Sequence, residues 1–125
     1  MERRRVLIVE ADPTMLDMLE EALEDRGCDC LTADNVPSAL DLTTTFEPDL
    51  ILLDLSLPRI DGTAFLKLAR HYLPVDVDIP PIIVISGHEE REILEYVQQL
   101  GAADILVKPV DANRLLSLID HYVTN

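Results

Sequence analysis

Three stretches of the chain are apolar at every position rather than at every second one: residues 6–9 (VLIV), 50–53 (LILL) and 82–85 (IIVI). A strand with one wet face alternates, whereas a strand covered on both faces runs unbroken, so these read as parallel strands held between two layers of helix. Between them the period becomes helical. Leu16, Leu19 and Leu23 form an apolar stripe behind Asp12, a side-chain acceptor, and Pro13, whose preset φ and missing N–H suit a first helical position; Gly27 ends that helix. A short strand around residues 28–33 follows. The next helix starts near Pro37 with Ala39, Leu40, Thr43 and Phe46 inward, although Thr43, Thr44 and Thr45 are weak helix formers. Pro48 and Asp49 introduce the third strand, residues 57–62 read as a loop, and Phe65, Leu68, Ala69 and Tyr72 mark a third helix. Residues 73–81, with three prolines and two aspartates, read as loop. Ile93, Val97 and Leu100 mark a fourth helix stopped by Gly101, residues 105–107 a fifth strand before Pro109, and Leu115, Ile119 and Tyr122 a closing helix.

Strands alternating with helices on short loops require right-handed crossovers and give an open, doubly wound α/β sheet. Ligands of such sheets sit at the carboxyl ends of the strands, near the switch in winding direction. The residues just beyond those ends are Glu10, Asp54, Ser86 and Lys108. Asp54 follows four apolar residues, so the strand fixes its backbone while the side chain emerges at the rim, where a carboxylate can attack phosphorus and form an acyl phosphate. The negative charge spread over a transferring phosphoryl group must be met by cations and donors. Lys108, the Ser86 hydroxyl and a hard metal ion held by Glu10 and Asp54 could meet it.

Composition narrows the class. With 24 Asp and Glu against 10 Lys and Arg, the formal charge is −14, which repels DNA, RNA and anionic lipid. The 125 residues, 48% of them apolar, suit one domain, residues 1–125, with no linker or repeat and a core that needs no staple. Unbroken aliphatic runs of four residues fall far below the roughly 18 a membrane helix needs. The apolar run after Arg3, Arg4 and Arg5 stops at Glu10, too soon for a signal peptide, so the expected location is the cytoplasm. The three arginines read as a solvated surface charge. Cys28 and Cys30, with no second pair to complete a zinc site, read as reduced structural thiols. Tyr96 and Leu118 fall off the apolar stripes of their helices and mark a candidate docking face.

The segments VLIVEADP, DLILLDLSLPRIDG, IIVISG and LGAADILVKP, in this order and spacing, resemble the receiver domain of two-component response regulators over nearly the whole chain. The resemblance implies a flavodoxin-like (βα)5 fold with a five-stranded parallel sheet in the order 2-1-3-4-5, and phosphoryl transfer to Asp54 from a histidine kinase or phosphotransfer protein. It implies that Ser86 is the switch hydroxyl and Lys108 the phosphate-pairing lysine. It implies a Mg2+ ion held by Glu10, Asp54 and the main-chain carbonyl of Ser56. The implied role is signalling rather than enzymatic, with self-phosphorylation and self-dephosphorylation at most. The implied partner is the kinase or phosphotransfer protein; also expected are a downstream protein or an output domain outside this chain and, from the docking face of Tyr96 and Leu118, a second copy docked through the last two helices.

Two positions depart from that pattern. Receivers usually carry two adjacent acids after the first strand, and here the second is Ala11; a methyl group removes a charge and an oxygen ligand, which weakens Mg2+ binding unless Asp12 substitutes. Asp12 directly before Pro13 fits a helix N-cap better than a metal ligand. Ile105 stands where receivers commonly place a Tyr or Phe that swings inward, and a β-branched aliphatic has neither the reach nor the polar tip. These departures support a second reading, a phosphorylation-independent interaction module on the same fold. A dehalogenase-type phosphatase needs a second Asp two positions after the nucleophile, where Ser56 stands, and a nucleotide or flavin site needs glycines in the first loop, whereas Gly27, Gly62, Gly87 and Gly101 lie elsewhere.

Overall fold

The unbroken apolar runs form the middle of a parallel sheet. In the computed structural model, which describes residues 3–55, 62–73, 75–76, 78–87 and 91–123, β1 (Arg5–Val9), β3 (Leu50–Asp54) and β4 (Ile82–Ser86) lie side by side. The edges are β2 (Asp29–Ala33), against β1, and β5 (Asp104–Val107), against β4; the order is β2-β1-β3-β4-β5 and every pairing is parallel. The helices are α1 (Pro13–Asp25), α2 (Val36–Thr45), α3 (Gly62–Tyr72), α4 (Arg91–Gln99) and α5 (Ala112–Tyr122). This is the flavodoxin-like (βα)5 architecture that the sequence implies.

Strand parity sorts the core into two layers. Val6, Ile8, Leu50, Leu52, Ile83, Ile85 and Leu106 pack with Leu19 and Leu23 of α1 and Leu115 and Ile119 of α5. The alternate residues Leu7, Val9, Ile51, Leu53, Ile82 and Val84 pack with Ala39 of α2, Phe65 and Leu66 of α3 and Val97 of α4. Period-2 alternation across a sheet covered on both faces is why the central strands need an apolar residue at every position.

The helix ends follow their residues. Asp12 caps α1, its carboxylate accepting from Thr14 N–H. Gly27 (φ 85°) and Gly101 (φ 112°) end α1 and α4 with the same device. Cys28 N–H bonds Leu23 C=O and Gly27 N–H bonds Glu24 C=O, just as Ala102 bonds Val97 and Gly101 bonds Gln98. α2 begins at Val36, a residue before the expected Pro37, because Asn35 supplies the cap and accepts from Ser38 N–H at 2.8 Å. Its threonine run holds helix by turning each hydroxyl back onto a carbonyl, Thr43 to Ala39 and both Thr44 and Thr45 to Asp41.

Two surface expectations are corrected. Leu118 is 8% exposed and belongs to the core layer under α5, so only Tyr96, 43% exposed, is left of that apolar docking pair. The helix presents a wider face to the sheet than the stripe of Leu115, Ile119 and Tyr122 covers. The N-terminal arginines are not a solvated run: Arg3 pairs with Asp29, the buried Arg4 with Asp120, and Arg5 lies over the Phe46 ring. Each has a partner that the fold brings from elsewhere in the chain. Of the expected loop at residues 57–62, Gly62 is instead the first residue of α3, and the rest lies outside the described residues.

Replacing Asn35 with Ala should lower the unfolding free energy by about 1 kcal/mol in urea titrations, with Asn35→Asp recovering most of it, because α2 has an exposed first turn and little else to satisfy its N–H groups.

Candidate functional site

The parallel order brings the carboxyl ends of β1, β3, β4 and β5 to one rim. Asp54 is the last residue of β3 and fully buried. Ser86, also fully buried, ends β4, and its carbonyl accepts from Lys108 N–H at 2.8 Å, which sets Lys108 immediately beyond β5. The lysine reaches past the end of β4 to place Nζ 2.7 Å from Asp54 Oδ2, with its side chain 25% exposed. The next peptide bond, Lys108–Pro109, is cis. An ammonium on a flexible stem suits this position, since its head can touch a buried carboxylate while its arm remains near solvent.

Glu10 follows β1 and is 1% exposed. Its backbone N–H bonds Ala33 C=O, and its Oε1 accepts from Asp12 N–H at 3.1 Å. Its Oε2 is buried with no donor among the described residues, and the Asp54 carboxyl lies beside it. Burial and this neighbour push the Glu10 carboxyl from 4.5 up to about 8, against the smaller pull of the Asp12 N–H and Lys108. A neutral Glu10 donating to Asp54 relieves the clash of two carboxylates in a dry site.

Of the residues expected at the site, Asp54 and Lys108 are in contact, Glu10 lies beside Asp54, and Ser86 ends the strand between β3 and β5. Ser56 lies outside the described residues. Asp12 is committed at one oxygen to capping α1. Ala11 and Ile105 both pack against the apolar layer of α2, α3 and α4. Among the described residues no set of three His, Cys, Asp or Glu side chains gathers as a metal site. The unmet Glu10 Oε2 beside Asp54 nevertheless fits a hard cation that takes a few carboxylate oxygens and keeps most of its waters. The sequence does not show that Glu10 takes up a proton; that depends on burial beside a second acid.

The raised Glu10 value fixes a sign. Below 4.5 both folded and unfolded chains hold this proton; between 4.5 and about 8 only the folded chain does, so stability should fall across that window and level off above it. Urea midpoints measured without divalent ions should show this decline, and Glu10→Gln should flatten it.

A profile of the family described as the response regulator receiver domain matches residues 6–120. The DNA-binding transcriptional regulator NtrC of Klebsiella pneumoniae is 32% identical over all 125 residues, which are 26% of its length. The Regulator of RpoS of Escherichia coli (strain K12) is 33% identical over 117 residues, covering 93% of this chain and 34% of that protein. The chain thus spans about a quarter to a third of these relatives. A response regulator signal receiver domain from Bermanella marisrubri has a crystal structure that superposes with a TM-score of 0.87 at 32% identity, covering 98% of this chain and 100% of that one. A CheY-like receiver domain protein from Methanospirillum hungatei gives 0.82 at 28% identity, over 96% and 93%. Among the described residues no helix is long and apolar enough to cross a membrane. Because the family match runs from β1 into α5, the chain belongs to the response regulator receiver domains of two-component signalling.

Proposed function

We propose that this domain accepts a phosphoryl group on Asp54 from a cytoplasmic histidine kinase or phosphotransfer protein and thereby changes its protein contacts. The observation that carries this reading is the 2.7 Å pair between Lys108 Nζ and the fully buried Asp54, beside Glu10 and next to the end of β4. An Asp54 oxygen attacks phosphorus, the phosphorus–nitrogen bond of the donor histidine breaks, and the imidazole leaves with the electron pair. Lys108 then exchanges the carboxylate for a phosphoryl oxygen with little movement, and the Ser86 hydroxyl serves a second one.

Glu10 and Asp54 would hold Mg2+, with the Ser56 carbonyl and Asp12 as further candidate ligands; the ion, when bound, offsets the charge of the transferring group. Ala11 leaves that shell short of one acid. Ile105 supplies no ring, so the signal passes through Ser86, the segment after it and α4, whose arrangements the phosphoryl group biases. The receiving surface is a downstream protein, an output domain outside this chain, or a second copy docked on α4 and α5 around Tyr96. Chemistry beyond self-phosphorylation and self-dephosphorylation is not part of this role.

Ala11 and Ile105, which stand in place of a second acid and an aromatic, motivate a second reading, an interaction module that works without phosphorylation. On that reading Asp54→Asn leaves partner binding unchanged.

With a small phosphodonor and Mg2+, intact mass should rise by one phosphoryl group, and Asp54→Asn should abolish the rise. Lys108→Ala should slow it by about 100-fold, the loss of one preorganised charge contact. No increase in mass even with a cognate kinase would reject phosphoacceptance. Asp12→Ala should cost about 1 kcal/mol of stability through the lost cap and leave Mg2+ affinity in a titration unchanged; a large drop in affinity would make Asp12 a ligand.

A further inference from the structure

We propose that the cleft between the C-terminal ends of α3 and α4 binds a small carboxylate that carries an apolar chain, with Arg70 as the group that receives the anion. The cleft has a volume of about 520 Å3, within the range of small-molecule sites. Leu66, Leu73, Ile79 and Leu100 supply an apolar wall. The site is separate from Asp54. It reaches Pro81 and Ile82 at the start of β4, whereas Ser86 ends that strand, about 13 Å away at the usual rise per residue.

Arg70 is the exception among the described arginines. Arg3, Arg4, Arg26, Arg91 and Arg114 each face a carboxylate, and Arg5 faces the Phe46 ring. Arg70 has no hydrogen bond or ion pair with any carboxylate among the described residues, in a chain where acids outnumber bases by 24 to 10. Its guanidinium lies instead over the backbone of Gly101, so closely that a Cβ there would collide with it. Gly101 therefore serves twice, ending α4 at φ 112° and leaving room for the guanidinium. The last-turn carbonyls of α3 favour a cation at this end of the helix, and Arg70 and His71 both stand in that turn.

Arg70 lines the cleft with one edge of its guanidinium against Gly101 and no carboxylate partner among the described residues, and a ligand carboxylate can match a guanidinium with charge-assisted hydrogen bonds. The apolar wall then selects a hydrocarbon body on the anion. The charge of −14 disfavours a large acidic partner at the same place, since such a partner meets the repulsion of the whole surface while a monoanion meets little of it.

The test is an amide chemical-shift titration of the full chain with hexanoate, with its neutral counterpart hexanamide and with inorganic phosphate. Hexanoate should shift Leu66, Arg70, Leu100 and Gly101 saturably, with hexanamide and phosphate each at least about tenfold weaker, as expected when a charge-assisted contact or the apolar contact is lost. Arg70→Gln should weaken hexanoate by a similar factor and leave hexanamide unchanged. Absence of saturable shifts at those amides, equal affinity for hexanoate and hexanamide, phosphate binding as tightly as hexanoate, or an Arg70→Gln chain that binds hexanoate normally would each overturn the proposal. The comparison of the three probes on the unmodified chain decides it even if the variant fails to fold.

Discussion

A carboxylate removed from water at the end of a central strand is tolerated only beside a positive charge. Asp54 is fully buried, and the cation it meets is Lys108, 54 residues later, with α3, β4, α4 and β5 in between. The pair therefore depends on β4 lying between β3 and β5 in register, with Ser86 C=O anchoring the lysine's own backbone. Removing the ammonium would leave a buried charge uncompensated.

Glu10 turns that balance into a deficit. Two acids face one ammonium, and the surplus negative charge must be removed by a proton or offset by a cation. Burial beside Asp54 raises the Glu10 carboxyl and so favours the proton, while the unmet Glu10 Oε2 fits a hard cation. Ala11 shifts the balance toward the proton, because it withdraws a third acid from the rim and gives its methyl to the apolar layer beneath. A neutral Glu10 removes one of the charges counted in the formal −14, at a place where solvent cannot screen it.

Away from the rim, paired charges and glycine turns set the geometry. Asp120 binds both Arg4 and Arg26, joining the start of β1 and the end of α1 to α5, and these partners hold its carboxyl below the usual range. The Tyr122 hydroxyl donates to Ala103 C=O and ties α5 to the approach to β5. At the far end of α4, Gly101 closes the helix and opens the space that Arg70 occupies, so a single residue links helix termination to the cleft that Arg70 lines.

The sequence by itself determined the layered sheet, because runs such as residues 50–53 have no polar position to turn toward water, and it determined the helix ends where Asp12, Gly27 and Gly101 stand. It placed an acid, a hydroxyl and an ammonium at strand tips, since parallel strands deliver their C-terminal residues to one edge. Tertiary structure alone decided which charges meet. That Lys108 pairs with Asp54, that Arg4 is spent on Asp120, that Leu118 is core rather than surface and that Arg70 meets no carboxylate among the described residues all turn on contacts between residues distant along the chain. Local spacing carries the period of an element and the chemistry of its ends; long-range pairing is settled only when the layers pack and each buried charge must find a partner.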